Sequence, residues 1–111
     1  MGLFTTPIKT LDDLFVHTLK DIYYAERQIV NNLPVMIGKA SNSELKNAFQ
    51  QHLSETENQV RRLEQVFQMY GQPAKGVDCP AMDGILSEAK EVISDCGDDD
   101  VCDAAMLSAA Q

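Results

Sequence analysis

A glutamate stands in the middle of an apolar helical stripe, and that placement constrains this chain more than any other feature. Turned through about 100° per residue, Leu11, Leu14, Phe15, Leu19, Ile22, Ile29, Leu33 and Ile37 fall on one side of the segment from Thr10 to Lys39, and Glu26 falls near the centre of that side. An ionised carboxylate left alone among such residues is strongly destabilising or takes up a proton. Glu26 therefore demands a partner. In the core of a helical bundle the partner is a metal ion, a facing polar cluster, or a basic or tyrosine side chain from another helix.

A second segment, Glu44 to Tyr70, repeats the pattern with an interruption of its own. Its stripe runs through Leu45, Ala48, Phe49, Leu53, Val60, Leu63, Val66, Phe67 and Tyr70, while His52, Thr56 and Gln59 fill the gap, with Glu55 at the edge. The connection, Gly38 to Ser43, is short enough to make the two helices antiparallel. Glu26 then lies about 15 residues before the turn and His52 to Glu55 about 10 to 13 after it; at about 1.5 Å per residue the two levels come within side-chain reach.

Local signals set the boundaries. Thr10 and Asp13 form a capping box, and Asp12 and Asp13 suit the positive end of the helix dipole. Pro34 removes one backbone bond, which bends the first helix near Val30 and Asn31 or ends it near Leu33 with a short helix following. Ser41 and Glu44 give a second capping signature, and Gly71 with Pro73 stops the second helix at Tyr70. After a linker, Gln72 to Asp78, a shorter third helix runs from Pro80 through Met82, Ile85, Leu86, Ala89, Val92 and Ile93 to Asp95. Gly97 to Asp100 separates it from an alanine-rich helical tail, Val101 to Gln111, with Val101, Ala104, Ala105 and Ser108 on one side. No strand-like alternation or repeat is present, so the expected fold is all-α: a flexible arm over 1–9 and one helical domain over 10–111. No C-terminal cap follows Ala110, as in a longer protein cut short or one whose last helix docks on a partner.

Charge and cysteine usage exclude several functions. The 111 residues carry a net charge of -8 with no basic stripe, which argues against nucleic acid and anionic membranes as partners. The start has no charged and apolar leader pattern and no run of 18 apolar residues occurs, so the expected location is the cytoplasm. Cys79, Cys96 and Cys102 are too few and too irregularly spaced for a zinc site and are expected to remain thiols, although Cys79 and Cys96 could approach each other. Asp98, Asp99 and Asp100 form a solvated capping run without the later ligands of an EF-hand. Nucleophilic catalysis has no support, since the chain lacks a Gly-x-Ser-x-Gly elbow, a phosphate loop and a glycine-flanked cysteine beside a histidine.

What remains is carboxylate and imidazole chemistry. His52 and Glu55, three residues apart, share a helix face. With Glu26 from the facing helix they make half of a di-iron or di-manganese carboxylate set, in the order His before Glu where the usual pattern is Glu-x-x-His. Gln59, one turn beyond Glu55, either donates a hydrogen bond that orients a ligand carboxylate or is a core glutamine satisfied by a backbone carbonyl. Thr56 is expected to bond to its own preceding turn. Tyr23 lies within reach of a core carboxylate, Tyr24 belongs on the surface, and His17 reads as solvated without a partner.

The runs Lys9-Thr10-Leu11-Asp12-Asp13-Leu14-Phe15, Asp21-Ile22-Tyr23-Tyr24-Ala25-Glu26-Arg27-Gln28, His52-Leu53-Ser54-Glu55-Thr56-Glu57-Asn58-Gln59 and Arg62-Leu63-Glu64-Gln65-Val66-Phe67 resemble the YciE/YciF-type ferritin-like stress proteins. Cys79-Pro80-Ala81-Met82-Asp83-Gly84 and Asp103-Ala104-Ala105 resemble the crossover and the start of the third bundle helix in that family. The resemblance covers the chain after the arm. It implies a four-helix ferritin-like bundle, a dimer, a two-metal centre holding iron or manganese with oxygen or peroxide chemistry, and a stress-linked role. Members continue through further helices bearing more Glu and His residues, so only Glu26, His52 and Glu55 carry over as metal ligands, with Gln59 and Tyr23 supporting them. The di-metal centre is then incomplete in this chain. The competing expectation is a metal-free helical interaction module, whose polar cluster is a hydrogen-bond network fixing register and pairing. Either way an uncovered apolar face this long favours a homodimer.

Overall fold

The first long helix starts at a side-chain capping box and the second stops at a glycine. The computed structural model describes residues 7–77 and 79–110; arm residues 1–6, the linker's residue 78 and the terminal residue 111 lie outside the described residues. Helix α1 spans Leu11–Lys39, α2 Ser43–Met69, α3 Pro80–Asp95 and α4 Asp99–Ala110, and the fold is an all-α helical bundle. At the start of α1 the Asp13 N–H donates to Thr10 Oγ1 at 3.0 Å, and Asp13 Oδ2 accepts from the N–H groups of Thr10 and Lys9, both at 3.1 Å. Those donors hold the Asp13 carboxyl below its ordinary value. Helix α1 then continues through Pro34 to Lys39, so the expected alternative of an end near Leu33 is not adopted. Helix α2 ends in a Schellman motif: Gly71 takes φ 71°, which favours glycine, the Gly71 N–H donates to the Gln68 carbonyl and the Gln72 N–H to the Phe67 carbonyl.

The turn between the long helices corrects the expected Ser41–Glu44 capping box. Asn42 is the cap instead, its Oδ1 accepting from the Leu45 N–H at 3.0 Å. Ser41 is engaged elsewhere: its N–H and hydroxyl donate to Asp103 Oδ1 and Oδ2 at 2.9 and 2.7 Å, and the Asn42 N–H donates to Asp103 Oδ2 at 2.9 Å. A buried carboxylate on α4 thus clasps the α1–α2 turn. The serine hydroxyl and backbone donors hold the Asp103 carboxyl below its ordinary value of 3.8.

Packing divides the core into two clusters. Leu19 and Tyr23 of α1 meet Val60 and Phe67 of α2, with Val30, Leu63 and Val66 packed around them, and the Tyr23 and Phe67 rings meet edge to face at 5.4 Å. Nearer the turn, Leu33, Ala40 and Phe49 enclose Met106 of α4, with Ile93 of α3 at the edge. The tail therefore faces inward through Asp103 and Met106, while Val101, Ala104 and Ser108, which share one side of it, are exposed. Alanine-rich sequence gives too shallow a periodicity to fix that face.

Part of the α1 stripe stays uncovered, as the sequence led us to expect. Leu11, Leu14, Phe15 and Ile22 are exposed, Leu11 by 84%, because a single antiparallel partner covers only the seam through Leu19, Tyr23 and Leu33. A radius of gyration of 16.5 Å, against about 13 Å for a compact chain of this length, agrees with a pair of long helices left open along one side. Cys96 and Cys102 form a disulfide across the α3–α4 junction, where free thiols were expected, and Cys79 alone stays free. His17 is not solitary but pairs with Asp21 one turn on, at 3.3 Å.

Two outcomes test this packing. Phe67 is fully buried, and Phe67→Ala is expected to lower stability by about 3–5 kcal/mol in denaturant titrations. Asp103→Ala removes the clasp and destabilises at neutral pH. Because the folded-state value of Asp103 is depressed, its contribution is present above pH 3.8 and disappears as pH falls through the lowered value. Melting curves of the variant and the native sequence are therefore expected to converge in strong acid.

Candidate functional site

Between the two apolar clusters the helices carry Glu26 on α1 and His52, Thr56 and Gln59 on α2; Thr56 is buried, but His52, expected to fill a gap in the core stripe, is exposed, because a single antiparallel partner leaves that side of α2 uncovered. Glu26 is half-buried, and its Oε2 is buried with no hydrogen-bond partner among the described residues. Burial pushes its carboxyl above the ordinary value of 4.5, and the charge of His52 nearby draws it part of the way back. The two helices were expected to bring these residues within side-chain reach of each other, and His52 lies near enough to act on the Glu26 carboxyl.

The other expected participants are distributed differently. Thr56 is fully buried and its hydroxyl donates to the His52 carbonyl at 2.7 Å, so it is satisfied by its own preceding turn. Glu55 is exposed and accepts from Gln51 Nε2 at 3.3 Å, pointing along the outer side of α2. Tyr23 is buried, but its hydroxyl donates to Glu64 Oε2 at 3.2 Å and not to Glu26. Burial and that carboxylate raise the Tyr23 hydroxyl above its ordinary value. Tyr24, expected on the surface, is half-buried and donates to Asp83 Oδ1 of α3 at 2.5 Å. Gln59 is exposed, yet it lines an open hollow of about 280 Å³ together with Ile22, Glu26, Arg62 and Leu63.

Arg62 and Glu64 are the participants that the periodicity argument passed over. Their spacing to Gln59 and Val60 carries the signal, since residues three and four apart share a helix face. Arg62 brings a cation to the same hollow as Glu26, but the two do not form an ion pair. Among the described residues no group of three or more His, Cys, Asp or Glu side chains is arranged to hold a metal ion. Glu26 and His52 together offer a carboxylate and an imidazole, which suits a transition-metal ion as part of a larger ligand set.

Comparison with known proteins places these residues in a family. A family model described as a domain of unknown function, DUF892, matches residues 10–111. Protein YciF of Escherichia coli strain K12 is 40% identical over 105 residues, which is 94% of this chain and 63% of YciF. The chain thus spans less than two thirds of that relative's length. Among solved structures, YcfI of Rhodopseudomonas palustris superposes with a TM-score of 0.90 at 46% identity, covering 97% of this chain and 69% of that one. The E. coli stress protein YciF superposes at 0.83 with 39% identity, covering 93% and 65%.

The electrostatics of Glu26 generate a pH-dependent outcome. Its folded-state value is raised, so its contribution to stability is fully present below pH 4.5 and is lost as pH rises through the raised value. Glu26→Gln removes the charge at nearly constant size. Chemical denaturation is expected to show the variant more stable than the native sequence at neutral pH, with the gap narrowing as pH falls through the raised value and levelling off below pH 4.5.

Proposed function

This chain belongs to the DUF892 family and is a homologue of the stress protein YciF, and from that membership we propose that it contributes half of a carboxylate and imidazole metal centre to a stress-linked ferritin-like bundle. The observation that supports this reading is the buried Oε2 of Glu26 without a hydrogen-bond partner. A buried carboxylate oxygen is costly until a cation or a donor meets it. Glu26 and His52 are the ligands, Gln59 stands in the same hollow to hydrogen-bond a ligand carboxylate, and Glu55 joins only by leaving Gln51. Tyr23, held by Glu64, takes no part. Carboxylate oxygen with imidazole nitrogen suits iron or manganese, and such an ion with open positions supplies reactivity toward oxygen or peroxide.

Two ligands do not hold an ion, and the missing ones come from a second copy. Ile22 lines the hollow beside Glu26, and Leu14 and Phe15 extend the same helix as exposed apolar residues. Packing two such pairs face to face covers these side chains and brings the two Glu26–His52 pairs toward one axis, as an isologous dimer requires. A second reading, a metal-free helical module that dimerises, draws support from the absence of a three-residue ligand group among the described residues.

Elemental analysis after metal-replete expression separates the two readings. Iron or manganese is expected to copurify with the native chain and to be lost in Glu26→Gln with helix content unchanged. Near-zero iron, manganese and zinc in the native protein would leave the metal-free module. Sedimentation equilibrium tests the assembly: a species of twice 12.3 kDa is expected, and a cooperatively melting monomer removes the second copy from the site.

A further inference from the structure

The Cys96–Cys102 disulfide takes no part in the polar layer. Its two Cα atoms lie 5.5 Å apart, Cys96 is the C-cap residue of α3, and Cys102 lies in the first turns of α4, so the bridge spans the junction between the helices. Both residues are only half-buried, which leaves the sulfurs within reach of a small reductant.

The two helices joined by this bridge are held to the long pair very differently. Helix α4 has its own anchors, the fully buried Met106 and the Asp103 carboxylate on the α1–α2 turn. Helix α3 has no fully buried side chain. It rests on the half-buried side formed by Met82, Leu86, Ala89 and Ile93, the last at the edge of the Leu33 and Phe49 cluster, on the bond from Tyr24 to Asp83, and on the bridge. Opening the bridge therefore removes the covalent tie of a helix with no fully buried side chain while leaving α4 docked. The bridge closes only a short loop, so its loss acts on the junction more than on the unfolded chain as a whole.

We infer that Cys96 and Cys102 form a reversible dithiol–disulfide latch, which pins α3 against α4 when oxidised and releases α3 from the helical pair when a dithiol reductant opens it. In the opening step a reductant thiolate attacks one sulfur. The Cys96–Cys102 bond breaks as a mixed disulfide forms, and the departing thiolate takes up a proton. The second reductant thiol displaces the remaining cysteine, which is protonated in turn. Two electrons and two protons pass to the protein, and the dithiol leaves as its cyclic disulfide. The latch gives this fold a structural response to thiol redox state, independent of whether Glu26 binds a metal.

The full chain carries the test. Alkylation and intact-mass analysis of air-oxidised protein are expected to label Cys79 alone, and to label all three cysteines after native incubation with millimolar dithiothreitol. Hydrogen exchange across residues 80–95 is expected to accelerate about tenfold or more on reduction while the α1–α2 amides stay unchanged. Cys96→Ser is expected to exchange like the reduced form in air and to be insensitive to dithiothreitol. Three labelled thiols in air-oxidised protein, a bridge that opens only in denaturant, or α3 exchange rates equal in both redox states would each overturn the latch.

Discussion

Three hydrogen bonds to one carboxylate organise this molecule. Asp103 of α4 receives the Ser41 N–H, the Ser41 hydroxyl and the Asn42 N–H, which are donors that the α1–α2 turn would otherwise leave to water. Bonds to an ionised acceptor are about twice as strong as neutral ones, so they offset the cost of burying that charge. The consequence reaches well beyond the turn. With α4 held at this end of the helical pair, Met106 drops into the cavity bounded by Leu33, Ala40 and Phe49, and the cluster that closes the turn end of the core is completed from a helix distant in sequence.

The helices themselves were legible because their ends are local chemistry. The Thr10–Asp13 box, Gly71 in the left-handed region and Pro80 at a first helical position act within a few residues, and the structure places boundaries beside each of them. Asp103 was not legible, since nothing in the spacing of Asp103 and Ser41 announces a contact across 62 positions. Ser41 looked like a cap because it precedes an acid by three; it lost that role when a better acceptor arrived from α4. The bridge between Cys96 and Cys102 escaped for a related reason. Cysteine counting weighs compartment and number, whereas pairing here follows from two helices meeting at a tight junction.

The stripe on α1 shows what periodicity can and cannot give. A pattern of apolar residues states which side of a helix avoids water, but it does not state how many neighbours cover that side. Leu19, Tyr23 and Leu33 are covered by α2, while Leu14, Phe15 and Ile22 on the same broad face are 44–47% exposed. Glu26 sits at the boundary of these two zones. The sequence placed it on the stripe, and the structure places it beside the open part, half-buried and lining the hollow with Ile22 and Arg62. His52 and Glu55, expected to interrupt the core stripe of α2, are both exposed, and the glutamate turns outward to Gln51.

Every other polar group of the layer that the core buries has found its own partner. Thr56 bonds to the His52 carbonyl and Tyr23 to Glu64, so neither is available to answer a buried carboxylate. Glu26 Oε2 is the buried side-chain oxygen left over among the described residues, and its ionised form is favoured only by His52 from the edge. If the layer served solely to fix helix register, Tyr23 would be the natural donor, one turn away on the same helix. Its hydroxyl is directed across to α2 instead. That division leaves Glu26 Oε2 without a donor from either long helix, Arg62 in the same hollow included, beside the exposed Ile22. The metal ion we propose, with its remaining ligands on a further helical face, would answer the open oxygen and the exposed apolar surface together.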